Sequence, residues 1–396
     1  MSRRFPHPVL VFSCLGHTFD HLLMLIYPTA VLAMGAEFGR TYGELIVLMT
    51  PSVILFGAGA IPAGWLGDRW SARGTLIIMF FGLGAATILT GFARTPFEVG
   101  LGLAAIGLFA SIYHPVATAV VVRYAERRGR ALGINGIFGG LGMALAPGIT
   151  GFLSSTFGWR AAFIVPGLVC LGVGGLFVWA VREISPAKSS SARTEGANGS
   201  GRSVLPIFAA IVLAGVCVGF LYQTETVAMP KVFEQRLTFL SGELSAVGIF
   251  AAAIFVFGAA AQYVGGMLAD RLSMKRLVVL ALSIQVLVML VMARAWDWPL
   301  FALSVVMVVF TLGLQPVMDS LIAHYVPPAW HARAYGARFL SAIVVSSLSV
   351  PVVAWVFEAT GGFEWLFFGL VGIAGLGVMA AATLPTERPM VAARAT

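Results

Sequence analysis

"GWLGDRWSAR", Gly64 to Arg73, returns later in the chain as "GMLADRLSMKR", Gly266 to Arg276. Asp68 and Asp270 stand 202 positions apart, and Pro28 and Pro230 have the same separation. A third pair follows. "HPVATAVVVRYAERRGRALG" from His114 aligns with "QPVMDSLIAHYVPPAWHARAYG" from Gln315, setting Pro115 against Pro316 and Arg130 against Arg333. Internal symmetry at a half-chain period predicts two similar helix bundles in a membrane, with a solute site expected between them near the bilayer midplane. A channel or a membrane-embedded enzyme has no particular need of that duplication.

The composition supports the membrane reading. Of 396 residues, 59% are hydrophobic and 11% charged, and the mean hydropathy is +0.93, where soluble domains carry roughly 25% charged residues. At ~20 apolar residues per crossing, spans are expected near 8–33, 43–66, 74–93, 97–122, 131–153 and 160–181. A second set is expected near 204–228, 244–268, 277–293, 299–324, 335–357 and 365–384. The chain thus reads as an all-α membrane protein with twelve transmembrane helices in two pseudo-symmetric six-helix bundles, 1–181 and 204–396. Between them "REISPAKSSSARTEGANGSGRS", 182–203, is rich in Ser, Gly and Ala and reads as a flexible cytoplasmic linker. The first apolar stretch is too long for a signal-peptide core and lacks a small-residue cleavage site, so it is expected to stay as the first span. Cys14, Cys170 and Cys217 all fall inside apolar runs, which predicts no disulfide framework and no metal-thiolate site.

The formal net charge of +8 acquires a meaning once the basic residues are sorted by loop. With both termini cytoplasmic, nineteen of the 25 Lys and Arg residues fall on the cytoplasmic side and six on the other. That asymmetry sets the orientation. It assigns the positive charge to loops facing anionic headgroups of a bacterial inner membrane, without a nucleic-acid partner.

The repeated loops resemble the signature of the major facilitator superfamily, Gly-x-Leu-x-Asp-Arg followed by basic residues, at Gly64, Leu66, Asp68, Arg69 and Arg73. The second copy stands at Gly266, Leu268, Asp270, Arg271, Lys275 and Arg276. "RGRALG" (128–133) and "FGWRAAF" (157–163) are similar to the family's connectors before spans five and six. The resemblance covers essentially the whole chain and implies alternating access. Asp68, Arg69, Arg73, Asp270 and Arg271 would then belong to a cytoplasmic gate of breakable ion pairs; the alternative is that the basic residues only set topology. "GMALAPGITG" (142–151) is similar to the proline- and glycine-containing motif of family exporters, with Ala146 where a glycine is usual. Gly136, Gly139, Gly140 and Gly142 read more simply as allowing close helix packing than as an export signature. The exporters' span-four arginine is replaced by Leu103. Within the family, His17, Asp20, Tyr113, His114 and Pro115 resemble the pattern of fosmidomycin-resistance-type exporters. "YQTETVAMPKVFEQRL" (222–237) is similar to riboflavin or copper importers, although only Met229 of the expected copper-binding methionines is present.

Few ionisable residues lie inside the expected spans: His17, Asp20 and His21 in span one, His114 in four, Glu225 in seven, Asp319 and His324 in ten. By the resemblance, spans one, four, seven and ten line the central cavity. Intramembrane ionisable groups are expensive and mark functional sites, so Asp20 is expected to face a water-accessible cavity. His17, Asp20 and His21 share one helical face at i, i+3 and i+4. The candidates for proton coupling or substrate binding are His17, Asp20, His21, His114, Tyr222, Gln223, Glu225, Gln315 and Asp319. Tyr27 reads as an interfacial anchor or part of an outer gate. Three embedded carboxylates and no deep arginine favour proton coupling with a neutral, zwitterionic or cationic organic solute over organic-phosphate exchange. No catalytic residue, metal ligand or cofactor is expected, and a nucleophile elbow and nucleotide loop are lacking. The reading is a proton-coupled secondary transporter acting as a monomer, most simply an exporter of a small organic compound. The rivals are an importer of a riboflavin-like nutrient or of a metal, and a non-transporting sensor or assembly factor.

Overall fold

The computed structural model describes residues 7–126, 128–184, 204–326, 341 and 344–385. Among them, eleven helices are long and apolar enough to cross a bilayer: α1 (Pro8–Ala33), α2 (Tyr42–Arg69), α3 (Ala72–Gly91), α4 (Pro96–Tyr124), α5 (Arg130–Phe157), α6 (Trp159–Ala180), α7 (Leu205–Arg236), α8 (Leu244–Arg271), α9 (Met274–Met292), α10 (Asp297–Ile322) and α12 (Glu364–Ala382). The shorter apolar α11 (Val344–Thr360) completes twelve. The expected start of the eleventh span at 335 lies outside the described residues, as do Arg333, Arg338 and all of the linker after 184. The helix of span seven runs to Arg236, past the expected end at 228. Pro230 removes one backbone donor without ending the helix, and the polar turns beyond it carry the helix on.

The loops explain why the helices start where they do. Thr41 accepts a hydrogen bond from the Glu44 amide while the Glu44 carboxylate reaches back to the Thr41 amide, a capping box at the head of α2. Thr95 caps α4 in the same position of its own loop. Ser71 caps α3 by accepting from Gly74 N–H, and Ser273, 202 positions on, caps α9 by accepting from Arg276 N–H. The repeat extends to the opposite helix ends. Arg73 donates to the carbonyls of Val178 and Val181 at the end of α6, and Lys275, again 202 positions on, donates to the Leu384 carbonyl after α12. Cations placed on orphan carbonyls there also complement the helix dipole.

By its contacts the chain divides into two compact units, Met1–Ser189 with Gly242–Ala253, and Ser190–Ser241 with Ile254–Thr396. In the first unit α1 lies along α5, α3 along α6 and α2 along α4; in the second, α9 packs on α12 and α10, and α7 on α12 and α10. Lipid supplies no hydrophobic drive between helices, so close backbone approach and interhelical hydrogen bonds hold such units together. The α1–α5 seam shows both. A Cβ at Gly142 would lie 2.3 Å from the Thr18 carbonyl oxygen, and Thr18 Oγ1 donates to the Phe138 carbonyl at 2.9 Å. Further along the exporter-like motif, a Cβ at Gly151 would lie 2.6 Å from the Leu244 carbonyl, and one at Gly248 would lie 2.3 Å from that of Pro147. The glycines at 142 and 151 therefore serve close packing, one of the two readings of this stretch.

Candidate functional site

The first unit gathers its polar groups where α1 meets α4 and α5. His17, Asp20 and His21 come from successive turns of α1. His114 comes from α4, where Pro115 cannot donate to the preceding turn and the backbone widens into a π-helical stretch over Tyr113–Ala117. Such wide turns recur at functional positions. Here the turn lets two consecutive residues both reach α1. Tyr113 is fully buried and donates to the Ser13 carbonyl at 2.9 Å, while His114 Nε2 stands 3.4 Å from Asp20 Oδ2. His17 Nδ1 lies 2.8 Å from the Asn135 carbonyl of α5; a carbonyl only accepts, so Nδ1 carries the proton. The amide of Asn135 donates to Tyr113 Oη at 2.7 Å. The His17 ring stacks on Tyr113 with centroids 4.6 Å apart, and His21 and His114 stand 5.0 and 5.3 Å from the same ring.

Asp20 differs from its expectation. Its side chain has no exposed surface, and both carboxylate oxygens are buried without a hydrogen-bond partner. The group presented toward solvent is the His114 imidazole, 31% exposed. One turn away, α1 meets α5 closely. With glycine at 139 and 142, α5 approaches so near that a Cβ at Gly139 would lie 2.6 Å from the His17 ring.

The second unit holds a different arrangement. Glu225 of α7 is buried, and Thr311 of α10 lies with its hydroxyl 2.7 Å from Glu225 Oε1 and 3.0 Å from the Met307 carbonyl. Gln285 of α9, itself fully buried, donates its amide to Thr311 Oγ1 at 2.6 Å. Tyr222, Gln223 and Gln315 are half-buried on α7 and α10, and Asp319 is exposed on α10.

Of the expected gate residues, Asp68, Arg69, Asp270 and Arg271 are exposed at the ends of α2 and α8, whereas the guanidinium of Arg73 is engaged with the end of α6. Tyr27 is fully buried and donates to the Leu45 carbonyl at 2.5 Å, so it ties α1 to α2. Outside the spans, Glu37 is bound by both arms of Arg160 at 2.7 Å and by the Trp159 indole at 2.8 Å. These bonds, the guanidinium's first, hold the Glu37 carboxyl below its ordinary range.

The survey of ionisable residues missed Asn135, Thr311 and Gln285, all neutral. The signal that finds them is the same one extended to amides: Asn135 and Gln285 interrupt long apolar runs in spans five and nine. Thr311 has no such signal, because threonine is common in apolar helices.

The family model of the Major Facilitator Superfamily matches residues 13–258 and 237–395. The chain belongs to the major facilitator superfamily. Its fold is that of a bacterial homolog to the human lysosomal transporter Spinster, solved in inward-facing and occupied conformation, with a TM-score of 0.76, 16% identity and 96% of each chain covered. Among curated relatives, a probable sulfoacetate transporter of Cupriavidus necator is 24% identical over 67% of this chain and 65% of its own length. A multidrug resistance protein of a Rahnella species is 24% identical over 88% of this chain and 85% of its own. A membrane sensor protein of Salmonella typhimurium is 25% identical over 44% of this chain and 40% of its own. The match spans about two thirds of the sulfoacetate transporter's length and less than half of the sensor's. Superfamily membership accounts for the half-chain repeat and the paired loops, and the chain is a multi-pass membrane protein.

Proposed function

We propose that this member of the superfamily is a secondary active transporter of the bacterial inner membrane, both termini cytoplasmic, that exports a small organic solute by alternating access in exchange for protons. Glu225 carries the proton, and the half-buried Tyr222, Gln223 and Gln315 of the same unit contribute to the solute site.

The observation that carries this reading is the donor count at Thr311. Its hydroxyl has one hydrogen, two acceptors within reach in the Met307 carbonyl and Glu225 Oε1, and one incoming donor in the Gln285 amide. With Glu225 ionised, Thr311 donates to the carboxylate. With Glu225 protonated, the acid donates to Thr311, and Thr311 turns its hydrogen to Met307. The Thr311 hydroxyl keeps a donor and an acceptor in both states and the Gln285 Oε1, buried without a partner, is the same in each, so the proton moves on and off the carboxyl without orphaning a further polar group, which costs about 1–3 kcal/mol where it happens. Export is supported by a relative matched over 88% of this chain, a multidrug resistance protein.

The test is transport in proteoliposomes under an imposed proton gradient, over a panel of antibiotics, flavins, sulfoacetate and gallate. The wild type is expected to drive at least one compound against its gradient. Glu225→Gln, which holds one bonding state permanently, keeps solute counterflow and loses the proton drive. Gradient-driven movement undiminished in Glu225→Gln removes the carboxyl from the mechanism. A folded protein that moves nothing on the panel favours the sensor reading, which the Salmonella relative motivates.

A further inference from the structure

We propose that His17, His21 and His114 form a binding site for a divalent transition-metal ion of the zinc type, a site independent of the transport reading above. One nitrogen from each of the three rings lies within 4.8 Å of the others. Bonds of 2.0–2.1 Å in a tetrahedral site place ligand nitrogens about 3.4 Å apart, so modest rotation of three partly exposed rings closes the set. His17 and His21 stand i, i+4 on one helix, the spacing by which a single helix face offers two imidazoles to one metal.

The tautomers are arranged for it. His17 commits its Nδ1 hydrogen to the Asn135 carbonyl at 2.8 Å, which leaves the Nε2 lone pair for a metal. His114 turns Nε2 toward Asp20 Oδ2 at 3.4 Å. An imidazole held from behind by a carbonyl, as His17 is by Asn135, is a usual outer shell of a metal-bound histidine, fixing ring orientation and raising basicity. This arrangement also gives Asp20 a role. Two carboxylate oxygens buried without hydrogen-bond partners are costly for a lone acid, and a cation held one imidazole away supplies the missing countercharge.

The ligand chemistry selects the metal. Three neutral imidazoles suit Zn2+, Co2+, Ni2+ and Cu2+, whereas Mg2+ and Ca2+ require oxygen ligands. Three protein ligands leave a fourth position for water or an acidic group of a solute. Sequence reading passed over the set because the third histidine lies on another helix, and only the π turn at Tyr113–Ala117 delivers it.

The test is Co2+ titration of tag-free, full-length protein in nanodiscs, followed by visible absorption and by Zn2+ competition. The expected result is one saturable equivalent with the intense bands of tetrahedral cobalt, displaced by Zn2+. Binding is lost in His17→Gln/His21→Gln/His114→Gln and weakened 10–100-fold in Asp20→Asn. Wild-type binding no stronger than that of the triple variant, with helical content and melting of the two matched, overturns the proposal. X-ray absorption of the zinc-loaded wild type stands apart from the folding of any variant: three imidazoles in the first shell support the site, and fewer overturn it. Because the readout is binding, a negative result leaves the transport proposal to its own assay.

Discussion

Asp20 and Glu225 are both carboxyls shut inside the helices of their own units, yet the two units treat them differently. Glu225 has a hydroxyl at 2.7 Å, backed by an amide at 2.6 Å, in a chain that crosses three helices. Asp20 has only an imidazole at 3.4 Å and no hydrogen bond on either oxygen. The halves have kept their frame in common, since Ser71 and Ser273 cap equivalent helices and Arg73 and Lys275 close equivalent ends. Their polar interiors have diverged: the position equivalent to Asp20 is Tyr222, and that equivalent to Glu225 is Leu23. Duplication fixes where helices start and stop, and each half then places charge according to its own task.

The contrast breaks most readily at the α1–α5 seam, next to Asp20 on α1. Gly142→Val pushes a side chain into the Thr18 backbone, which has no rotamer in which to retreat. A loss of 3 kcal/mol or more, about the upper end of overpacking penalties, is expected in detergent melting. Gly133→Ala, where an added Cβ meets nothing within 4 Å, serves as the control. Equal melting of the two variants would mean that the seam accepts a side chain and is not closely packed.

The two carboxyls themselves are expected to respond with opposite signs. Thr311→Val keeps the volume and strips the bonds from Glu225 and Gln285, so stability falls by about 1–3 kcal/mol. Asp20→Asn removes a buried charge that has no hydrogen bond to lose, and the melting temperature rises. Matching signs would show that Asp20 is as well satisfied as Glu225.

The shared frame gives a smaller, symmetric pair. Arg73→Ala and Lys275→Ala each remove a cation from orphan helix-end carbonyls and are expected to cost about 1 kcal/mol each. A cost confined to one of them would mean that the repeat survives in geometry but not in energetics.

The smallest effect is at Glu37, where Arg160 and Trp159 hold the carboxyl below its ordinary value of 4.5. Stability from this group is fully present above that value and is lost as acidification carries the pH down through the lowered folded value. Glu37→Gln should flatten that acid limb. The pair is more than a third exposed and screened by salt, so the change stays below about 1 kcal/mol.

What the sequence determined by itself is what depends on residues close together in the chain or on a period along it. Apolar run lengths set the spans, loop charge set the expected orientation, and the 202-residue repeat with its two Asp-Arg loops set the superfamily. His17, Asp20 and His21 were legible as one face because a helix fixes i, i+3 and i+4 together. Tertiary structure decided the rest. How closely α5 approaches α1 at His17 and Thr18 is set by glycines more than a hundred residues away, and that Asp20 is sealed follows from packing that no local period reveals. His114 joins the histidines of α1 only because Pro115 forces a wide turn. Glu225 became half of a hydrogen-bond pair through Thr311, an unremarkable residue in sequence. Local periodicity fixes which side of a helix a residue occupies; only packing decides what that side meets.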